Sequence, residues 1–280
     1  MIILLTSCFE DYVKDYEYTG IYFPYQVNVR TFVVGEGMQI KVGVALGGVI
    51  ENDRRRIVNY RLDDSYITDD VFDKMLKGES YIQNSIDTSL FKAFRLLPQH
   101  YYTVSDAGTF VIEKGFHTGT ITIKADSAAF LADRMTLYAQ YVLPFVITQA
   151  DADSIIDAKK YAVIGLKYEH MLFGNYYHGG ITTVKNDLTG EVEKILTYNT
   201  TIPQPDSKIW NLSTVSPNEL VTNGISDQAG SFKIRLEGDD IFVSQAEGSK
   251  YDVQPDGAST FVRSRLLQDR KILLNYKYPT

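Results

Sequence analysis

The stretch Ile40-Lys41-Val42-Gly43-Val44-Ala45-Leu46 decides the fold class. Its bulky residues Ile40, Val42, Val44 and Leu46 fall on one side of an extended chain while Lys41, Gly43 and Ala45 fall on the other, which is the period of a strand with one face in a core. The same alternation recurs along the chain. Phe232, Ile234 and Leu236 interleave with Lys233 and Arg235, Ile272, Leu274, Tyr276 and Tyr278 repeat the pattern near the end, and Val111-Ile112, Ile121 and Ile123 sit in similar short runs. Between such runs, Asp187-Leu188-Thr189-Gly190, Glu237-Gly238-Asp239-Asp240 and Pro255-Asp256-Gly257 supply residues that tolerate tight or left-handed backbone. Many short strands joined by such turns predict an all-β chain, built as a sandwich or a barrel.

Two places break the period of two. From Asp69 through Phe72, Met75 and Leu76 to Phe91, Phe94 and Leu97, apolar residues recur three and four apart, so residues 69–97 are expected to hold one or two short helices. Ser127 to Met135 reads as a further turn or two of helix, capped by Asp126 or Ser127. A change of composition between Ala162 and Gly180, where the strand-like Tyr161 to Tyr168 gives way to Gly174-Asn175-Tyr176-Tyr177-His178-Gly179-Gly180, marks the expected domain boundary.

Composition excludes several functions. A chain of 280 residues that is 44% hydrophobic can bury a sizeable core. A formal net charge of -7 argues against nucleic acid, whose phosphates call for a basic patch. The dense cluster Arg54-Arg55-Arg56 follows Glu51-Asn52-Asp53 and reads as a solvated turn. His100, His117, His170 and His178 are scattered, with no His-Glu-x-x-His spacing, so no metal site is expected. Nucleophile-elbow, phosphate-loop and dinucleotide motifs are absent from the sequence, and no cofactor is expected. Asp151 and Asp153 start a calcium-loop pattern that Ile155 and Ala162 break, so they are read as capping a turn.

Cys8 is the single cysteine, and it cannot form an intramolecular disulfide. It follows Leu5-Thr6-Ser7 and an apolar run, and the acidic Glu10 and Asp11 come soon after, as at a bacterial lipoprotein maturation site. The reading makes Cys8 a lipid anchor, and the family resemblance given below implies that the anchor lies in the outer membrane, facing the cell exterior. Met1 to Leu5 is far shorter than the roughly 20 residues of a membrane span and lacks the basic start of a signal peptide, so the sequence is expected to be clipped at its N-terminus or to begin at a misassigned start. The expected division is residues 1–8 as signal remnant and anchor, 9–17 as tether, 18–168 as the first domain and 169–280 as the second.

A family resemblance rests on Ile21-Tyr22-Phe23-Pro24-Tyr25-Gln26, Lys41-Val42-Gly43-Val44, Leu46-Gly47-Gly48, Glu51-Asn52, Leu97-Pro98, Tyr101-Tyr102, Tyr141-Val142-Leu143-Pro144 and Asp151-Ala152-Asp153-Ser154-Ile155. These resemble Bacteroidetes surface lipoproteins whose immunoglobulin-like N-terminal domain, of unknown function, also precedes family 18 glycoside hydrolase domains. Phe173-Gly174-Asn175-Tyr176-Tyr177-His178, Trp210-Asn211-Leu212-Ser213-Thr214-Val215 and Leu273-Leu274-Asn275-Tyr276-Lys277-Tyr278 are similar to the lipocalin-like domain often paired with it. The resemblance implies an immunoglobulin-like β-sandwich with short helical insertions, then a lipocalin-like β-barrel. It also implies a place in a polysaccharide-utilisation locus beside SusC-like and SusD-like transport proteins. The catalytic Asp-x-x-Asp-x-Asp-x-Glu motif of the family 18 enzymes is absent from this sequence, and no catalytic residue carries over.

Aromatic usage supplies the binding candidates. Of 20 Tyr, 14 Phe and one Trp, the densest polar-flanked runs are Asn175, Tyr176, Tyr177 and His178, then Trp210 with Asn211. A flat ring stacks on the C–H face of a sugar while amides meet its hydroxyls. The expected function is noncatalytic binding of a polysaccharide or oligosaccharide at the cell surface. A protein-interaction or adhesion module is the alternative, and a glycoside hydrolase stands behind both.

Overall fold

The computed structural model describes residues 18–199 and 208–279. Cys8 and the tether at 9–17 lie outside the described residues. The chain is all-β with short helices and divides into two units, Met1–Tyr168 and Glu169–Thr280.

The first unit holds β1 (Gly20–Tyr22), β2 (Val27–Val34), β3 (Gln39–Gly47), β4 (Arg56–Leu62), β5 (Arg95–Leu96), β6 (Tyr102–Val104), β7 (Thr109–Ile112), β8 (Thr118–Ala125), β9 (Tyr141–Ala150) and β10 (Ser154–Ile155). It also holds most of β11 (Tyr161–His170). One sheet has the order β10-β1-β3-β8-β6 and the other β2-β11-β9-β4-β7, with β5 beside β9. The alternating stretch is β3, where Ile40 pairs with Ile123 and Val42 with Ile121. Ile21, Phe23, Phe110, Ile123 and Phe145, drawn from both sheets and the loop after β1, are fully buried together between them.

Three helices attach to this sandwich: α1 (Asp69–Leu76), α2 (Ser80–Gln83) and α3 (Ser127–Ala132). Thr68 Oγ1 accepts from Val71 N at 3.3 Å to start α1, with Asp69 and Asp70 in its first turn, where the helix dipole favours acids. Asp126 Oδ1 caps α3 by accepting from Ala129 N at 2.9 Å. Phe91, Phe94 and Leu97 reach their cores from non-helical backbone, because Asp87 Oδ1 takes Ser89 N and Oγ in a local turn. Val71, Phe72, Met75, Ile82 and Phe94 cover Val29, Val142 and Val163 on the outer side of the second sheet. That sheet is therefore apolar on both faces, which is why Tyr141 to Ile147 is buried without a break.

The second unit holds β12 (Gly174–His178), β13 (Gly180–Lys185), β14 (Val192–Tyr198), β15 (Lys208–Ser216), β16 (Glu219–Thr222), β17 (Gly224–Ile225) and β18 (Gln228–Ala229). There follow β19 (Phe232–Glu237), β20 (Asp240–Gln245), β21 (Gln254–Pro255), β22 (Ser259–Val262), β23 (Lys271–Leu273) and β24 (Tyr276–Lys277). The main sheet has seven strands in the order β12-β15-β16-β19-β20-β22-β23, each antiparallel to its neighbours. Its path is open, with β12 and β23 at the ends, and the described residues contain no pairing between those two. β13–β14, β17–β18 and β21–β24 are separate two-stranded ribbons. The first of these shifts register between Val184 and Lys185. Leu212, Leu220, Phe232, Ile234, Val243 and Phe261 form the core beneath the main sheet.

Candidate binding site

Pairing of β12 with β15 brings the six predicted residues into one place. Asn175 stands opposite Asn211, Tyr176 opposite Trp210 and Tyr177 opposite Ile209. Because side chains alternate across a strand, this register divides them between two faces.

The inner face takes Tyr176, His178 and Trp210. Trp210 is only 6% exposed. The His178 ring stacks on its indole at 3.5 Å and 13°, and Phe232 meets it edge-on at 5.8 Å. Gly224 closes the remaining space, since a Cβ there would stand 2.1 Å from Trp210 Nε1. The Tyr176 hydroxyl donates to Leu172 O at 3.0 Å, and Asn199, at φ +47°, donates Nδ2 to His178 O at 2.9 Å. Burial, with Lys208 as the smaller contributor, lowers the His178 pKa from 6.5 to about 4, so the ring is neutral at ordinary pH. The assignment of Trp210, Tyr176 and His178 to sugar stacking is therefore corrected: their faces are spent on one another and on the core.

The outer face takes Asn175, Tyr177 and Asn211. Tyr177 is 56% exposed, beside the exposed Ile209. Asn211 Nδ2 donates to Asn175 Oδ1 at 3.1 Å, Asn211 Oδ1 accepts from Ser213 Oγ at 2.7 Å, and Asn211 N donates to Asn223 Oδ1 at 2.7 Å. These bonds fix three side-chain amides in a row, and among the described residues the Nδ2 groups of Asn175 and Asn223 donate no hydrogen bond. An open depression of about 280 Å³ adjoins the row, lined by Lys208, Ile209, Trp210, Asn223, Asp227 and Gln228 among others. It offers donors on Lys208 and Asn223, acceptors on Asp227, and apolar surface on Ile209 and the indole edge. Among the described residues, Asp227 is the one carboxylate in that lining, whereas glycosidic cleavage uses two.

Lys208, Asn223, Asp227 and Gln228 were not singled out from sequence. The Asn223-Gly224 pair carried the available signal, a close backbone approach, but nothing local tied it to Trp210. Among the described residues no group of three or more His, Cys, Asp or Glu is arranged to hold a metal ion, and no helix is long and apolar enough to cross a membrane.

A family profile described as "-like, N-terminal domain" matches residues 15–154, half of the chain. Among solved structures, a protein of unknown function from Bacteroides ovatus aligns with a TM-score of 0.60 at 18% identity, covering 88% of this chain and 82% of that one. A second protein of unknown function from the same organism aligns at 0.44 and 13% identity over 94% and 86%. An auxiliary nutrient-binding protein from Bacteroides thetaiotaomicron aligns at 0.40 and 14% identity over 83% and 75%. The first of these shares the fold; the other two are too distant to bear on this chain. No curated protein matches the chain.

Proposed function

The chain belongs to the family whose N-terminal domain that profile describes, and we propose that it is a noncatalytic surface lipoprotein that binds glycan through the outer face of β12 and β15. The observation that carries this reading is the exposed Tyr177 ring set beside the fixed row Asn175, Asn211 and Asn223, at the rim of an open depression. A tyrosine face stacks on sugar C–H groups and the amides address hydroxyls. An open site of this size favours weak contacts that many copies at a surface reinforce. The antiparallel meander of the second unit supports the lipocalin-like reading of its architecture, and a SusC-like and SusD-like uptake system is the proposed partner.

The test is titration calorimetry with the glycans that score on an array, comparing the parent chain with Tyr177→Ala and Asn211→Ala. Loss of binding in both folded variants is the expected result; retained affinity would move the site elsewhere. Anchoring through Cys8 is read from intact mass after expression behind a complete signal sequence. A diacylglycerol-sized gain that vanishes in Cys8→Ala is expected.

A second reading, a protein-interaction module, is favoured by one observation. The β13–β14 ribbon exposes Ile181, Ile195 and Val192 along one side and Leu188 at its turn. Silence on a broad glycan array, with a transport protein captured by the intact ribbon and lost on Ile181→Ser with Ile195→Ser, would support it.

A further inference from the structure

One end of the first unit gathers loops from both sheets. In the first sheet Gly20 pairs with Gly47 and Ala45 with Thr118, so the start of β1, the end of β3 and the start of β8 lie side by side. Just beyond those three ends stand Tyr18, Ile50 and Phe116, which are 63, 53 and 63% exposed. In the facing sheet, Arg56 pairs with Ile112 and Val58 with Ala150, which brings the start of β4 and the ends of β7 and β9 to the same end.

This end is built to hold its shape. Asn52 is buried and donates Nδ2 to the carbonyls of Glu113 and Phe116, each at 3.0 Å, while Gly115 N donates to Asn52 O at 2.8 Å. The Arg56 guanidinium is buried as well, in contrast to the solvated turn expected of Arg54-Arg55-Arg56. It donates Nε to Asn52 Oδ1 at 2.8 Å and Nη1 to Asp151 O at 2.9 Å. Thr19 N and Oγ1 donate to Asp153 Oδ2 at 2.7 and 2.6 Å, which ties the first described residues to the same cluster. Gly48, at φ +88°, passes so close that a Cβ would lie 2.0 Å from Tyr18 O. The backbone under the exposed Phe116 ring is thus fixed on both sides, its carbonyl accepting from Asn52 Nδ2 and its N–H donating to Glu113 O at 3.0 Å.

The charges here carry no basic excess: Arg54, Arg55, Arg56 and Lys114 stand against the carboxylates of Glu51, Asp53, Glu113, Asp151 and Asp153. Arg54 pairs with Asp151, Arg55 with Glu113 and Arg56 with Asp53, and the exposed Lys114 is matched by the exposed Glu51. An anionic surface would call for a basic excess, so the chemistry fits a zwitterionic one. The direction of the chain selects the partner. Tyr18 leaves from this end and Cys8 lies ten residues earlier in sequence, a separation that extended chain spans in at most roughly 35 Å.

We propose that this end of the first unit is a membrane-apposed face, with Tyr18, Ile50 and Phe116 entering the headgroup region of a zwitterionic bilayer. The inference rests on the anchoring of Cys8. Aromatic residues favour the membrane–water interface, and a tether raises the local concentration enough for three side chains to matter.

The experiment uses the full chain, with the Cys8 thiol coupled to a maleimide-headgroup lipid in phosphatidylcholine and phosphatidylethanolamine vesicles, made with or without dibrominated acyl chains. Phe116→Trp reports on the proposed face. Ala128→Trp is the control, in the exposed first turn of α3 just past the far end of β8. Trp210 contributes equally to both proteins, and circular dichroism checks their folding. In brominated vesicles, Phe116→Trp is expected to lose roughly half of the emission of its added indole while Ala128→Trp is unchanged, since an interfacial ring lies within reach of the upper acyl chain. Equal quenching at the two positions, or none at 116, overturns the proposal. A fall at 116 in unbrominated vesicles that grows with protein density marks contact between copies and overturns it too. Because the maleimide supplies the anchor, the outcome is independent of whether cells acylate Cys8, which the mass measurement decides.

Discussion

The two units pack aromatic rings by different rules. In the first, Phe23, Tyr60, Phe110 and Phe145 contact one another with centroids between 4.7 and 6.5 Å, and the one polar atom among them, Tyr60 Oη, donates to Asp106 O at 2.6 Å. Burial pushes that phenol up to about 12. In the second, His178, Trp210, Phe232 and Tyr276 form a chain of contacts that carries polar atoms inside: Tyr276 Oη accepts from Ser226 N at 2.8 Å, and His178 Nδ1 has no partner among the described residues. The first cluster is held by filled volume and the second by a balance of contact and polar satisfaction. Volume changes should therefore hurt the first most, and close approach and pH should find the second.

The largest effect expected is that of Phe110→Ala. The ring is fully buried against three others, so its loss should cost about 3–5 kcal/mol in urea unfolding. A cost below about 1 kcal/mol would mean that the site collapses freely and that the contrast is false. Next comes Gly224→Ala, whose new Cβ must displace the Trp210 ring; about 1–3 kcal/mol is expected, with a shift of the indole in near-ultraviolet circular dichroism.

A pH effect follows from the histidines. Burial lowers both His170 and His178 from 6.5 to about 4. The unfolded chain then takes up protons first, so their contribution to stability is complete above about pH 6.5, drains as pH falls toward 4, and is flat below. For the nearly inaccessible His170, whose Nδ1 accepts from Leu172 N at 3.1 Å, the loss should be on the order of 2 kcal/mol. His170→Asn retains an acceptor and should flatten the slope of unfolding free energy between pH 6.5 and 4.5; an unchanged slope would assign it to carboxylates. The smallest effect on stability is that of Tyr177→Ala, within about 0.5 kcal/mol because the ring is exposed, even though binding is expected to vanish.

Period-two patterning carried much of the fold. Ile40 to Leu46 and Phe232 to Leu236 are strands with the bulky side buried, and Asp126 caps α3, because each of these signals acts within a few residues. Arg56 could have been placed as well. It is in phase with Val58 and Tyr60, both buried, whereas the run of three arginines after Glu51-Asn52-Asp53 suggested a solvated turn. At the candidate site the sequence located the residues but not their faces. Asn175-Tyr176-Tyr177-His178 puts a ring and a polar group on either side, so alternation has no preference until pairing with β15 buries Trp210 and chooses one. The depression was illegible because its lining joins β15 to the β17–β18 ribbon, a contact of the folded chain alone.

The ribbon β13–β14 has a consequence for how the protein behaves when crowded. Among the described residues its strands pair only with each other, and the edges are flanked by β-branched Ile181, Thr183 and Ile195, a combination that invites strands of other molecules to add on. Lys185 and Lys194 flank the shift in register, where a neighbouring strand would have to bury an ammonium and follow a kinked backbone. Where copies crowd together, this irregularity opposes strand addition. Straightening it, by deleting Glu193, the extra residue β14 carries between the Val184–Lys194 and Lys185–Val192 pairs, and replacing Lys194 with Val, should shorten the lag before thioflavin-positive aggregates form.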